Sequence, residues 1–567
     1  MWALLLSLLL MLFPARVFAK YDPTSVPNNK YGIHIVDVND MPDAANLVNS
    51  SGGDWGYVTL VMQDDDRNFE KWQGVFNRMR RFHLIPIVRL ATHVDGDHWI
   101  IPGQASIEDW TRFLNSLNWP TENRYVILFN EPNHANEWGG ALDPEGYADI
   151  AEKFTQALHH TSEDFFVMPA ALDVSASSDG ASMDAAVFYS RMVSKDPGLY
   201  TDADGLASHS YPNPGFSGSP FATGRGTLTS YRWELAELQT LGITKTLPVF
   251  ITETGWVHAE GVVQNPSLLS SDQVGNDLKI AASSVWQDPR IVAVTPFVLN
   301  YQDYPFDHFS WRKLHSGDFY SQYSAYQSIE KVAGEPKQRE KFTLKNRLMP
   351  QKLVAGSSYA LSASLENSGQ SILSEQDGYA LSFSAKGDFS MVADPLPILE
   401  PGQSGLLSIH LQTPHTPGVY PYTIALHHNN QEIPLEKESV RIVPPPGVTV
   451  SVQLGWRKLN NATDATVLVY DDKTLLRKVS GVTVKNGQTT VPDLTNIVPG
   501  KKYRIVVLLP YYLPRQAIVT LGSNNTAVSM PRMLPLDFNR DGALTPADIL
   551  ALLNLKPNFI LSLFIGP

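Results

Sequence analysis

Two glutamates offer the clearest chemistry in this sequence. Glu131 stands in Asn130-Glu131-Pro132-Asn133, directly after the apolar run Tyr125 to Phe129, and Glu253 stands in Thr252-Glu253-Thr254-Gly255-Trp256 after Pro248 to Ile251. Short runs rich in β-branched and aromatic residues read as buried strands, so each carboxyl emerges where a strand ends. Two carboxyls so placed can cleave a glycosidic bond: one, protonated, gives its proton to the leaving oxygen, and the other, ionised, meets the charge developing at the anomeric carbon. A separation of about 5 to 5.5 Å makes the second a nucleophile and retains configuration, whereas about 6.5 to 9.5 Å admits a water and inverts it. The acid needs a pKa raised by burial or by its partner's charge. Glu131 is the better candidate for it, with the Asn130 amide beside it to hydrogen-bond a sugar hydroxyl, and Glu253 is then the nucleophile, kept ionised by neighbouring donors.

The elements that must position this pair follow a simple pattern. From Tyr31 to about Lys331 a short apolar run, a polar turn and a longer stretch of helical periodicity recur. The runs Tyr31 to Val36, Tyr57 to Met62, Ile85 to Leu90, Tyr125 to Phe129, Phe165 to Ala170, Gly205 to Ser208, Pro248 to Thr252 and Val292 to Leu299 read as strands. Amphipathic helices are expected between them, among others over Phe69 to Arg80, Ile107 to Leu117 and Pro144 to His159. Such β-α units predict a closed (β/α)8 barrel with its site at the C-terminal ends of the strands. A doubly wound open sheet is the alternative, but no Gly-rich phosphate loop follows the first strand.

Asn130-Glu131-Pro132, with Glu253 ending an apolar strand three strands later, resembles the large clan of retaining glycoside hydrolases built on (β/α)8 barrels. The resemblance spans residues 31 to about 331, and Asn130-Glu131-Pro132-Asn133 is most similar to the xylosidase and iduronidase-like members and to cellulase-like relatives. It implies an acid/base on strand four, Glu131, and a nucleophile on strand seven, Glu253, with retention. It also implies that His209 and Tyr211 lie near the nucleophile, the Tyr211 hydroxyl donating to Glu253. Arg89, closing the third run, is expected to pair with a carboxylate, and His93 is another contact. The eighth strand departs from the clan's pattern. Where a Trp commonly forms the sugar platform, this chain reads Thr295-Pro296-Phe297-Val298-Leu299-Asn300-Tyr301, and Tyr301 or Trp311 is expected to substitute. That departure motivates the competing expectation of a barrel that has lost catalysis and serves as a carbohydrate-binding or scaffold protein. Trp99, Trp138 and Trp256 sit in βα loops where they can stack on sugars or pack the loop, and Trp256 is counted with the substrate contacts. Glu137 reads as a loop charge. His134 and His258 lack a spaced partner, so no catalytic metal or cofactor is expected.

At 567 residues, 43% hydrophobic and 18% charged, the chain exceeds one hydrophobic core, and several domains are expected. After Gly334-Glu335-Pro336 the pattern turns to short alternating segments with Gly, Pro, Asn and Ser between them. A β-sandwich over 340 to 443, a stiff linker at Pro444-Pro445-Pro446-Gly447 and a second β-rich domain over 447 to 531 follow, both read as spacers or carbohydrate contacts. The catalytic domain itself is placed at 20 to 335.

The tail, 535 to 567, contains Asp537-Phe538-Asn539-Arg540-Asp541-Gly542-Ala543-Leu544-Thr545-Pro546-Ala547-Asp548. Asp537, Asn539, Asp541, the Ala543 carbonyl, Thr545 and Asp548 fall at the spacing of an EF-hand calcium loop, with Gly542 at its sharp turn. The last position holds Asp548 where a longer Glu is usual. The loop resembles one half of a dockerin, which implies Ca²⁺ as a structural ion and a cohesin-like or cell-surface partner, although only one copy is present. The net charge of −13 leaves no basic block for nucleic acid, and the absence of cysteine excludes disulfides and thiolate chemistry. Trp2 to Phe13 is apolar and Val17-Phe18-Ala19 offers small residues, so residues 1 to 19 are expected to be a signal peptide cleaved after Ala19, giving a secreted protein.

Overall fold

The computed structural model describes residues 20–558, 560 and 561; the expected signal peptide lies outside the described residues. The chain forms two compact units, one running to Arg339 together with Gly369–Ser371, the other comprising Glu340–Ser368 and the chain from Ile372.

In the first unit, apart from a two-residue strand pair at Val94–Asp95 and His98–Trp99, eight strands follow one another: β1 Gly32–Ile35, β2 Gly56–Gln63, β3 Leu84–Ala91, β4 Arg124–Leu128, β5 Phe165–Pro169, β6 Leu206–His209, β7 Val249–Glu253 and β8 Ile291–Val294. β1 to β5 form one parallel sheet in chain order, and β6 to β8 another. The segments join on both sides. Tyr31 bridges Val294 in parallel between β1 and β8. Between β5 and β6 the Asp204 N–H donates to the Val167 carbonyl at 2.9 Å, and the Asp204 carboxylate accepts from the Val167 N–H at 2.8 Å. A carboxylate thus takes the place of a ladder carbonyl; Lys20 at 2.5 Å balances its charge, and His159 lies 2.8 Å from it. Sequential order and joined ends make a (β/α)8 barrel and exclude the doubly wound sheet.

The helices α1 Met41–Val48, α2 Phe69–Arg81, α3 Gln104–Ser116, α4 Pro144–Thr161, α5 Ala185–Lys195, α6 Ser230–Thr240, α7 Ser271–Ser283 and α8 Ser321–Gln327 belong to the same unit. In α2 the buried residues Trp72, Val75, Phe76 and Met79 repeat at three- and four-residue steps, and Asn68 caps the helix by accepting from the Lys71 N–H; that spacing puts them on one face. α4 starts at Pro144 with Asp143 as its cap, accepting from Gly146, because Pro fits the first helical position and needs no N–H partner there.

The barrel interior is packed rather than open. Tyr57, Ile85, Ile87, Tyr125, Ile127, Phe166, Met168 and Phe250 fill it, alternate residues of each strand facing inward. On β3 the inward series Ile85, Ile87 continues to Arg89 and on β6 Ala207 continues to His209, so the apolar filling gives way to polar groups at the strand ends.

The second unit holds two β-rich modules. In the first, β9 Phe342–Leu344, β10 Lys352–Val354, β11 Ser358–Asn367, β12 Ala380–Ala385, β13 Ser390–Ala393, β14 Ser404–Gln412, β15 Gly418–His428 and β16 Gln431–Val443 form two four-stranded sheets, ordered β9-β11-β14-β13 and β10-β16-β15-β12. Leu365, Leu407, Ile409, Ile424, Leu426 and Val440 pack between them. The second module has β17 Val448–Ser451, β18 Ala462–Asp471, β19 Thr474–Val484, β20 Gln488–Val491, β21 Lys502–Leu509, β22 Tyr512–Thr520 and β23 Thr526–Ser529, in sheets of three and four strands. The Tyr359 hydroxyl donates to the Ile497 carbonyl at 2.7 Å and so ties the two modules together. A final helix, α9 Pro546–Leu553, follows the Asp537–Asp548 loop.

Candidate active site

Glu131 reaches the barrel mouth through an irregular turn after β4. Phe129 has φ 74° and Glu131 φ 28°, left-handed conformations that L-residues adopt at a cost of about 1 to 3 kcal/mol each. The first rotates the Phe129 ring out of the inward series into the outer core, where Trp138 and Phe154 each lie 5.5 Å away, centroid to centroid. Asn130 and Glu131 thereby take the mouth. The turn is held by the His134 N–H donating to the Glu131 carbonyl at 2.9 Å. Buried Asn133 fastens it to the next loop by donating to the carbonyls of Asp173 and Met183.

Glu253 is the last residue of β7, and a register slip places it. Ser208 pairs with Ile251 but His209 pairs with Glu253, so one extra residue, Thr252, lies on β7. Bulges of this kind re-aim side chains near active sites, and this one sets Glu253 opposite His209.

The groups converge. Arg89 Nη1 donates to Glu253 Oε1 and to Asn130 Oδ1, both at 2.6 Å, and the Tyr211 hydroxyl donates to Glu253 Oε2 at 3.0 Å. His209 Nδ1 is 2.6 Å from Glu131 Oε1 and 3.8 Å from Glu253 Oε2. Those two distances limit the separation of the two carboxylate oxygens to their sum, 6.4 Å. Burial would raise the Glu253 pKa, but His209 and then Arg89 outweigh it and hold the carboxyl at about 2. Burial likewise opposes the charge on His209, yet Glu253 and Glu131 raise its pKa above the usual imidazole value. Nearby His34 is fully buried with neither ring nitrogen hydrogen-bonded, and burial, reinforced by Arg89, lowers its pKa to about 3. The site therefore holds an ionised carboxylate under two hydrogen-bond donors, Arg89 and Tyr211, and a second carboxyl hydrogen-bonded to the His209 imidazole beside it.

The sequence-derived candidates divide. Arg89, Asn130, Glu131, His209, Tyr211 and Glu253 come together. Trp256 requires a correction: it is 2% exposed and its indole N–H donates to the Gly218 carbonyl at 2.8 Å, so its ring packs the loop and has no face for a sugar. Trp138 is likewise buried, and Trp311 packs edge-on against Tyr326 in the outer core, which leaves it unable to replace the missing platform. Tyr301 packs at the edge of a small apolar cluster with Tyr211, Phe297 and Phe309. Phe297 itself stands three residues beyond the end of β8, with its ring centroid 5.1 Å from that of His34. His93 is exposed and pairs with Asp64 at 3.1 Å. His134 pairs with Asp173 at 3.0 Å, and buried His258 meets the Ser310 carbonyl at 2.7 Å. Glu137 is not a mere loop charge: Asn130 Nδ2 donates to its Oε2 at 3.1 Å, and it lines a pocket with Arg89, Thr92, Trp99 and Asn130.

The Asp537–Asp548 loop has a mixed arrangement. Asp537 Oδ1 is buried with no hydrogen-bond partner. Asp548, by contrast, closes the loop: its Oδ1 accepts from the N–H groups of Phe538 and Asn539, and its Oδ2 accepts from that of Thr545. The short side chain in the twelfth position caps α9 where a longer Glu would reach inward. Among the described residues no group of three or more His, Asp or Glu side chains clusters as a metal site, and no helix is long and apolar enough to cross a membrane.

No protein-family model matches the sequence, and no curated protein matches it. Similar solved structures include a family 39 glycoside hydrolase from Bacteroides cellulosilyticus, at 12% identity over 70% of this chain and 82% of that one, with a TM-score of 0.36. A β-glucuronidase from Bacteroides uniformis is 8% identical over 87% of this chain and 64% of that one, TM-score 0.35. An endo-1,4-β-mannanase from Eisenia fetida is 10% identical over 54% of this chain and 91% of that one, TM-score 0.34. With scores below 0.5, the functional reading rests on the side chains.

Proposed function

We propose that the chain is a retaining glycoside hydrolase acting on O-glycosidic bonds of a poly- or oligosaccharide, with Glu131 as acid/base and Glu253 as nucleophile. The observation that carries this reading is the convergence of the two carboxyls on His209 Nδ1, 2.6 Å from Glu131 Oε1 and 3.8 Å from Glu253 Oε2, which keeps those two oxygens within 6.4 Å of each other, close enough for both carboxyls to flank one glycosidic bond. Glu253 attacks the anomeric carbon while the glycosidic C–O bond breaks, and Glu131 gives its proton to the departing oxygen. Water then attacks the glycosyl-enzyme ester, Glu131 takes a proton from it, and Glu253 is released. His209, Arg89 and Tyr211 keep Glu253 ionised for the first step. Trp99, half-buried in the pocket that Glu137 lines, offers a ring for a sugar face.

The test is turnover on a panel of plant and microbial polysaccharides by wild type, Glu131→Ala and Glu253→Ala, with the anomer of the first product read by NMR. Loss of turnover in both variants and a retained anomer support the assignment; wild-type turnover in either variant, or an inverted product, overturns it.

We further propose that the Asp537–Asp548 loop holds a structural Ca²⁺ through Asp537, Asn539, Asp541 and the Ala543 carbonyl, supported by the unpartnered Asp537 Oδ1. Such an ion would rigidify the loop. Export directed by residues 1 to 19, and a cohesin-like or cell-surface partner for the tail, belong to the same reading.

A further inference from the structure

Asn130 is held from both ends. Arg89 donates to its Oδ1 at 2.6 Å, and its Nδ2 donates to Glu137 Oε2 at 3.1 Å. Since a guanidinium only donates and a carboxylate only accepts, the amide has one permitted orientation. Glu137 does this from inside the pocket it shares with Thr92 and Trp99.

The basic groups of the site are already engaged. Arg89 pairs with Glu253, His209 with Glu131 and His134 with Asp173. His34, buried without a hydrogen bond, is uncharged near neutral pH. Burial, and after it the charge of Glu131, raise the Glu137 pKa, against the hydrogen bond from Asn130; above that raised value a sugar carboxylate entering beside Asn130 finds these cations neutralised and a like charge facing it in a partly desolvated pocket. A sugar hydroxyl in the same place donates to Glu137 in a charge-assisted hydrogen bond, with Trp99 available to its apolar face.

Resting on the glycoside hydrolase reading, we propose that this site takes uncharged sugars and that Glu137 is its specificity-determining residue: it rejects uronic acids, accepts a hydrogen bond from a substrate hydroxyl and fixes the Asn130 amide. In Glu137→Gln the side-chain carbonyl still accepts from Asn130, so the amide stays in place while the negative charge goes.

The experiment compares kcat/KM of wild type and Glu137→Gln on neutral polymers (β-glucan, xylan, mannan) and on uronate polymers (polygalacturonate, alginate, hyaluronan). Wild type is expected to favour its best neutral polymer over any uronate polymer by about 100-fold or more. Glu137→Gln is expected to narrow that ratio by about tenfold, mainly through a lower KM for the uronate. A wild type that prefers a uronate polymer, or a ratio unchanged in the variant, overturns the proposal. Binding of sugar pairs that differ only at C6, glucose with glucuronate and galactose with galacturonate, measured on the wild-type chain by saturation-transfer NMR, decides the point even if the variant does not fold. Preferential binding of the uronates overturns selectivity alone. Absence of turnover on every polymer overturns the hydrolase reading instead.

Discussion

Arg89 Nη1 lies 2.6 Å from Glu253 Oε1 and joins the third strand to the seventh across the barrel mouth. The two side chains are only 15% and 11% exposed, so the pair has little water to fall back on if one member is lost. Breaking such a pair is worse than never having had it, because the remaining charge stays buried and uncompensated.

Arg89→Met is therefore expected to raise the Glu253 pKa, move the acid limb of the kcat/KM profile to higher pH and lower kcat/KM at neutral pH by about 100-fold or more, equivalent to about 3 kcal/mol. In wild type the depressed pKa contributes stability that is complete above the unfolded carboxyl value, about 4.3, and is lost as pH falls toward about 2. The variant should lose that contribution at higher pH. A pH–rate profile and acid unfolding curves for both proteins check this; an unmoved acid limb would remove Arg89 from its assigned part.

His209 makes the opposite prediction. Its pKa is raised by Glu253 and Glu131 against the effect of burial, so its contribution to stability is fully present below the unfolded imidazole value, about 6.5, and disappears as pH rises through the higher folded value. The stability difference between wild type and His209→Gln should be larger at pH 6 than at pH 9. Urea unfolding at the two pH values measures it, with an imidazole NMR titration of wild type as the direct check.

These groups were legible in the sequence to an uneven degree. The eight apolar runs are short, bounded by polar turns and separated by helical periodicity, so their number and order follow from the chain alone. The end of a strand is then also a place in space, which is why Arg89, Asn130, Glu131, His209, Tyr211 and Glu253 could be expected at one mouth. The seam at Asp204 was not legible, because a carboxylate standing in for a ladder carbonyl carries no periodic signal. Nor was the contact of Glu137 with Asn130, which depends on the left-handed turn at Phe129 and Glu131. The tryptophans failed differently: a Trp in a βα loop has the same pattern whether it faces a sugar or the core, and only packing distinguishes Trp99 from Trp256.

Trp256→Phe should accordingly act on stability and leave KM alone. The substitution removes the indole donor to Gly218 and part of a fully packed ring, a loss of about 1 to 3 kcal/mol. Trp99→Ala should do the reverse, raising KM severalfold with a smaller effect on unfolding. Thermal melts and Michaelis–Menten kinetics on the same preparations separate the two; a raised KM in Trp256→Phe would restore it to the substrate contacts.

The tail sets its prediction through Asp537. Its Oδ1 is buried and unpartnered while Oδ2 accepts from the Gly542 N–H at 3.1 Å, so the uncomplexed loop carries an unsatisfied oxygen that Ca²⁺ would relieve. Asp548 is engaged with backbone N–H groups, and the loop lacks the bidentate Glu that tightens an EF-hand. Binding should therefore be weak, nearer the 10⁻⁴ to 10⁻³ M dissociation constants of extracellular modules than those of sensors, roughly speaking. A ligand at a hundredfold its dissociation constant stabilises the state that binds it by about 2.7 kcal/mol. Hydrogen exchange of the full chain in Ca²⁺ and in chelator should show slower exchange across residues 537 to 548 with the ion. Asp537→Ala should abolish the difference, because it removes the oxygen that has no other partner. Asp548→Ala should instead loosen the start of α9 with or without Ca²⁺, since its carboxylate serves the helix cap. Identical exchange of the loop in Ca²⁺ and chelator would leave the sequence a hydrogen-bonded acidic turn and nothing more.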